Sequence, residues 1–167
     1  MSSLHELKSL IACYHPLITV ETVEEVRLEE LLVNACEELD LPLFNWSATS
    51  GLCKHPNDRA IMAQTNLALG ALQHMEMLGM RGVFFLKDLP PHFSDHQVLR
   101  QLRETVEKFH ASGSTIVLSS AKIDLPVEIE TVSVPYDLKL PGARELGRLL
   151  DATVNSLRRR DPQLVKC

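Results

Sequence analysis

Two short runs of consecutive apolar residues place the strongest constraint on the fold of this chain. Residues 83–86 read Val-Phe-Phe-Leu, and residues 115–118 read Thr-Ile-Val-Leu. A strand with one face in water alternates apolar and polar side chains, whereas an uninterrupted apolar run indicates a strand that is covered on both faces. We therefore predict that these two segments are central strands of a sheet with helices packed above and below it.

Helical periodicity separates the predicted strands from one another. Apolar side chains three and four positions apart bury one face of a helix, and Thr22 with Glu25, like Ser94 with Gln97, has the spacing of an N-terminal capping box. Alternating strands and helices predict a three-layer α/β domain with a mostly parallel, five-stranded sheet. The predicted strands are residues 16–20, 41–46, 83–86, 115–120 and 131–135; the predicted helices are 4–14, 22–39, 58–78, 94–113 and one that starts at Pro141; residues 47–57 are predicted to be a loop.

Length and composition fit one domain. The chain has 167 residues, 45% of them hydrophobic, which is enough for one buried core and too little for two ordinary domains. We assign residues 1–140 to the α/β core. Residues 141–167 are assigned to a C-terminal helix and tail, packed on the core or extending from it, with the apolar stripe Leu146, Leu149, Leu150 and Leu157.

Several classes of protein are excluded by the same sequence. No apolar run approaches the length of about 18 residues that a membrane span requires, and the first residues lack the basic start of a signal peptide. The net charge is −5, and the basic residues are scattered except at 158–160, so a nucleic-acid partner is not expected. The four cysteines form no Cys-x-x-Cys pair, which argues against zinc and favours a reducing compartment such as the cytoplasm.

The turn after the first predicted strand decides whether a nucleotide could bind. A phosphate-binding turn needs glycines that expose backbone N–H groups, a helix N-terminus and a lysine or arginine. Here the turn reads Glu21-Thr22-Val23-Glu24-Glu25, with three carboxylates and no glycine or lysine. Each carboxylate would repel a phosphate by about 1 kcal/mol at contact in water. The sequence therefore predicts a domain without a phosphate loop.

Two residues are nevertheless candidates for a nucleotide site. Asp88 follows the third predicted strand, where an acid could hold Mg²⁺, and Ser119 belongs to the Ser119-Ser120 pair at the end of the fourth, where a polar residue could sense a γ-phosphate. The alternative for Asp88 is a structural strand end with Lys87 as a nearby cation, and the alternative for Ser119 is an ordinary start of a loop. The chain has no Gly-x-Ser-x-Gly turn and no nucleophile with a partner that its sequence can locate, so no catalytic residue is predicted.

Several phrases in this order resemble a known family. They are residues 15–25, the segment Leu-Pro-Leu-Phe-Asn-Trp-Ser at 41–47 with Gly51-Leu52, residues 84–91, 115–120 and 134–141. Together they are similar to the amino-terminal part of the uncharacterised AAA-domain proteins of cyanobacteria and algal plastids, the hypothetical chloroplast reading frame type. The resemblance implies an AAA-like, P-loop NTPase-like domain that has lost its phosphate loop. It also implies a following AAA module with an intact Gly-x-x-x-x-Gly-Lys loop.

In that family pattern Lys87-Asp88 stands where a Walker B acid pair is expected, and no glutamate follows Asp88 to polarise a water molecule. We therefore expect a non-catalytic protein-interaction or regulatory module without a cofactor, with residues 47–57 and the last helix as contact surfaces. The expected partner is an AAA ATPase module or a second copy of the chain, in the cytoplasm or in the plastid stroma of an alga. The alternative is a nucleotide-binding ATPase subunit that uses ATP with Mg²⁺ and whose phosphate site is completed by another chain.

Overall fold

The described part of the chain forms one sheet with helices on both faces. The computed structural model describes residues 3–57 and 64–140, together with 142, 146–147, 150–151 and 154–155. The strands are β1 (Leu17–Glu21), β2 (Leu43–Ser47), β3 (Gly51–Lys54), β4 (Val83–Lys87), β5 (Thr115–Ser120) and β6 (Val134–Pro135). The helices are α1 (Ser3–Ala12), α2 (Glu25–Leu39), α3 (Ala68–Met77), α4 (His96–Ser112) and α5 (Val127–Glu130), with a 3-10 turn at Pro90–Ser94.

The sheet has the spatial order β3-β2-β4-β5-β1-β6. The pairs β2·β4, β4·β5, β5·β1 and β1·β6 are parallel, and the β2·β3 pair is antiparallel. Both apolar runs lie in the middle of this order. The first four residues of β4 and all six residues of β5 are buried. The prediction of a mostly parallel sheet with two-sided central strands is therefore confirmed.

The buried apolar side chains form two hydrophobic clusters, one on each face of the sheet. Alternate side chains of a strand point to opposite faces, so Phe84 and Leu86 enter one cluster while Val83 and Phe85 enter the other. The first cluster is completed mainly by α3 and α4, and the second by α1 and α2. These are the three layers that the sequence predicts.

The number of strands differs from the prediction, because part of the predicted loop 47–57 is the strand β3. Its Gly51 has φ +72°, a conformation that glycine adopts without strain, and this lets the chain reverse after β2. Gly51, Leu52 and Cys53 are buried. The hairpin therefore adds an antiparallel edge to the sheet and offers less open surface than a loop of that length.

The predicted helix starts are corrected at three places. The Thr22–Glu25 capping box does not form, because α2 begins after Glu24 and has no side-chain cap. At α4 the cap is Asp95, which accepts a hydrogen bond from the Gln97 N–H at 2.8 Å, since Ser94 belongs to the preceding 3-10 turn. Helix α3 begins at Ala68 instead of Asp58.

A turn precedes α3 and ties it to the hairpin. Gln64 has φ +66°, which interrupts the helix predicted over 58–78; residues 58–63 lie outside the described residues. The Trp46 indole N–H donates to the Thr65 carbonyl at 2.6 Å, and the Leu52 N–H donates to the Thr65 hydroxyl at 3.0 Å. These tertiary bonds hold Thr65 against the hairpin, before the first residue of α3.

The last predicted strand is shorter in the structure than in the prediction. The strand predicted at 131–135 is only Val134–Pro135, because residues 127–130 form α5 and Thr131 ends that helix. Of the predicted C-terminal stripe, Leu146 and Leu150 are exposed, and Leu149 and Leu157 lie outside the described residues.

The two ends of the described core are fastened together. The Tyr136 hydroxyl donates to the Ser3 carbonyl at 2.9 Å, and Lys139 Nζ lies 2.8 Å from the Glu6 carboxylate. This hydrogen bond to Glu6 raises the pKa of the Lys139 ammonium. As a result α1 and the segment after β6 are held side by side on the α2 face of the sheet.

We expect Phe84→Ala to destabilise the domain strongly. The Phe84 ring is fully buried and stacks on Phe44 at 4.8 Å and on Phe109 at 5.0 Å between ring centroids. Truncating a buried phenylalanine costs about 3–5 kcal/mol, which urea denaturation would measure. Val127→Ala is the control, because Val127 is exposed and its truncation is expected to change the unfolding free energy by less than about 0.5 kcal/mol. Equal midpoints for both variants would contradict the two-sided core.

Candidate functional site

Polar side chains gather where β1, β4 and β5 end. In parallel strands the carboxyl ends share one edge of the sheet, and ligands of open α/β sheets bind at that edge. In the register of the sheet, Lys87 lies opposite Ser119, and Glu21 lies opposite Ser120. The structure therefore brings the two predicted candidates, Asp88 and Ser119, to the same edge on neighbouring strands.

Asp88 is held by β5. Its N–H donates to the Ser119 carbonyl at 2.9 Å, and its carboxylate accepts a hydrogen bond from the Ser120 hydroxyl at 2.8 Å. Its φ of +52° lies in the left-handed region, which Asp and Asn tolerate better than most residues. The carboxylate thus fastens the end of β4 to β5, and its side-chain partner is Ser120 of the Ser119-Ser120 pair.

The cation expected beside Asp88 lies elsewhere. Lys87 Nζ is 2.8 Å from the Glu29 carboxylate of α2, and the Asn45 side-chain amide donates to the same carboxylate at 2.5 Å. The interpretation of Lys87 as the cation for Asp88 is therefore wrong. The polar Asn45 inside the apolar segment 43–46 is the one sequence signal that could have indicated this network.

Two buried polar atoms near this edge have no hydrogen-bond partner among the described residues. They are the Ser119 hydroxyl and the Asn45 side-chain carbonyl. Ser119 is fully buried, and the alternation of β5 places its side chain on the face of Val117, beneath α1 and α2. Ser119 and Asp88 are therefore close through the backbone, while the side chain that bonds Asp88 is that of Ser120.

The turn between β1 and α2 uses its own hydrogen-bonding groups. The Thr22 N–H donates to the Ser120 carbonyl at 2.9 Å, and the Glu24 N–H donates to the Thr22 hydroxyl at 3.0 Å. The Glu24 carboxylate accepts a hydrogen bond from Arg27 at 2.8 Å. Arg27 also donates to the Lys139 carbonyl at 2.5 Å. The turn is thereby closed on itself and joined to the segment that follows β6.

A cavity of about 480 Å³ opens beside this turn, between the ends of β1 and β6. The residues that line it within the described chain include four acids and no lysine or arginine. A phosphate entering this cavity would face uncompensated negative charge. The acids are Glu21, Asp124, Glu130 and Asp137.

The described residues contain neither a candidate metal cluster nor a candidate membrane span. No group of three or more His, Cys, Asp or Glu side chains among them could hold a metal ion. Within that same part of the chain, no helix has both the length and the apolar character needed to cross a bilayer. The cavity lining at the sheet edge is acidic, and the Asp88 carboxylate already accepts a hydrogen bond from the Ser120 hydroxyl, so ATP with Mg²⁺ would have to displace that bond.

The mostly parallel sheet, the helices on both faces and the polar edge at the strand ends define an open, three-layer α/β domain. Residues 3–138 match the family described as "SpoVK-like AAA ATPase, N-terminal domain". The chain belongs to this family.

The relatives carry the same class of name. The chain is 25% identical over 152 residues to an "Uncharacterized AAA domain-containing protein ycf46" of Pyropia yezoensis, covering 89% of the chain and 30% of the relative. It is 26% identical over 155 residues to the protein of that name from Trieres chinensis, covering 91% and 31%. The chain therefore spans about a third of the length of these relatives.

A solved structure supports the fold. A chain in the "Structure of E. coli MS115-1 HORMA:CdnC:Trip13 complex" aligns with a TM-score of 0.54 at 8% identity, covering 89% of this chain and 63% of that chain. At this identity the likeness concerns the fold. Together with the family match, it confirms the AAA-like, P-loop NTPase-like architecture.

We expect Asp88→Ala to lower stability by about 1–2 kcal/mol. It removes the bond to the Ser120 hydroxyl and places alanine in the left-handed region. Asp88→Asn is the matched control, because its side-chain oxygen can still accept that bond and Asn tolerates this conformation. Urea denaturation with and without Mg²⁺ measures both variants. A dependence of wild-type stability on Mg²⁺ that both variants abolish would contradict the structural role.

Proposed function

We propose that this chain is a non-catalytic AAA-like domain that acts through protein contacts, as a docking or regulatory module for an AAA ATPase. The observation that carries the proposal is the β1–α2 turn. Its Thr22 and Glu24 N–H groups are bonded within the chain, and in an active phosphate loop such groups would face the nucleotide. No glycine in the turn exposes further backbone.

Charge supports the same reading. Arg27 pairs with Glu24, which leaves Glu21 and Glu25 in the turn without an ion pair among the described residues. At a separation of 4 Å, two like unit charges repel by about 1 kcal/mol in water and by about 4 kcal/mol near a protein surface. A triphosphate carries several negative charges, so binding here would be unfavourable.

The family supports a protein partner. The matched family is the N-terminal domain of an AAA ATPase, and the relatives extend over about three times the length of this chain. We propose that the partner is an AAA module with an intact phosphate loop, supplied in the same polypeptide or by another chain. We further expect the domain to act in the cytoplasm, or in the plastid stroma if the source is an alga.

A second candidate is a nucleotide-binding ATPase subunit whose phosphate site another chain completes. One observation favours it: Asp88 and Ser119 lie on adjacent strand ends, and the Ser119 hydroxyl is buried without a partner among the described residues. In that case Asp88 would give up Ser120 to hold Mg²⁺ with the nucleotide.

We expect ATP with Mg²⁺ at millimolar concentration to leave the melting temperature of the chain unchanged. A ligand at 100 times its dissociation constant would add about 2.7 kcal/mol of stability, which differential scanning fluorimetry detects readily. ADP and Mg²⁺ alone serve as controls. An increase seen only with ATP and Mg²⁺ would support the second candidate instead.

We also expect the chain to bind a purified AAA module that carries an intact phosphate loop and comes from the same genome. Isothermal titration calorimetry measures the affinity, for which a dissociation constant of about 1 μM corresponds to about −8 kcal/mol. Serum albumin, an acidic protein without this fold, is the control. Absence of binding to every such module in that genome would refute the docking role.

A further inference from the structure

We propose that the outward face of α2 is the surface that docks the AAA module, through a basic segment of that module. The outward face of α2 is defined here as Val26, Glu30 and Val33 of the helix, together with Val23, which lies two residues before its first residue. This inference rests on the proposed function and adds to it the surface and the chemistry of the contact.

The first argument is the exposure of valines along one line. Val23 is 81% exposed and Val26 is 73% exposed, Glu30 is exposed, and Val33 is half-buried. Steps of four and three residues keep Val26, Glu30 and Val33 on one side of the helix. The outer face of a helix in a globular protein is normally polar, and valine is a poor helix former. Nothing in the described part of the chain accounts for valines in these positions.

The second argument is a shallow groove of about 390 Å³ along this face. Val26 and Val33 supply its apolar part, and His55 from the turn after β3 closes one side. Glu29 and Glu30 also line it, and Glu29 is held in place by Lys87 and Asn45. The lining of the groove thus combines apolar and acidic side chains.

The third argument is the charge that surrounds the valines. Within the described chain, Glu25, Glu30 and Glu37 of α2 form no ion pair. Helix α4 provides the contrast, because its exposed Arg100 pairs with Glu104 one turn further along. These three carboxylates have no cation partner among the described residues, and a partner that carries lysine or arginine could supply one.

The negative charge of the outward face of α2 favours some binding partners over others. A second copy of the chain, docked face to face, would set carboxylates against carboxylates, since a two-fold contact pairs the same surface with itself. A nucleic acid would be repelled for the same reason. A segment with lysine or arginine around an apolar centre complements both features of the face, because complementary potentials favour encounter and register.

The test compares two exposed valines in the full chain. Binding to the purified AAA module described above is measured for wild type, Val26→Arg, Glu30→Lys and the control Val127→Arg, which alters an equally exposed valine on α5. We expect Val26→Arg and Glu30→Lys each to weaken binding by about tenfold or more, and Val127→Arg to stay within about twofold. Raising NaCl from about 50 to about 500 mM should weaken wild-type binding and should affect Glu30→Lys less.

The outcomes separate this inference from the proposed function. If wild type binds and Val26→Arg binds equally well, the docking face is wrong while the docking role stands. If wild type binds no AAA module, the proposed function fails and this inference fails with it. Analytical ultracentrifugation of the chain alone supplies the remaining outcome: self-association that Val26→Arg abolishes would make a second copy the occupant and overturn the proposal. Circular dichroism confirms that each variant is folded.

Discussion

The burial of β4 and β5 on both faces is the constraint on which the rest of the structure depends. A strand whose side chains are apolar above and below needs a layer of helices on each side, and here α1 and α2 cover one face while α3 and α4 cover the other. Polar groups are consequently confined to the ends of the strands and to the outer faces of the helices. The polar edge at Asp88 is a product of that confinement, whereas the exposed valines on the outward face of α2 depart from it.

The same sheet edge that holds phosphates in nucleotide-binding α/β domains has other uses here. Asp88 fastens β4 to Ser120 of β5, and Lys87 holds Glu29 of α2. The β1–α2 turn bonds to itself and to Lys139. These groups are engaged with other parts of the chain and support the fold at this edge, while the Ser119 hydroxyl is buried there without a partner among the described residues.

The sequence alone was enough to predict the layers, the central strands and the missing phosphate loop, because burial and the absence of glycine and lysine are local properties. It was not enough for β3, whose short segment 51–54 carries loop-like residues on both sides, or for the start of α3, which Trp46 and Thr65 decide through tertiary bonds. At the sheet edge, Asp88 and the Ser119-Ser120 pair were singled out from the sequence, whereas the bond between Asp88 and Ser120 and the Glu29 network were not. Asp88 and Ser120 are 32 residues apart in the chain, and Lys87 and Glu29 are 58 residues apart. The spacing of residues within a short motif carries no information on contacts over such separations.

The bonds that join α1 to the segment after β6 have a mechanical consequence. A force applied to the chain beyond residue 140 would reach these bonds first. Tyr136 to Ser3, Lys139 to Glu6 and Arg27 to Lys139 would take that load before the short strand β6 does. Because these contacts reach both α1 and α2, the force would be distributed over the helical layer on that face of the sheet. The edge strand β6 would then not be the first element to separate.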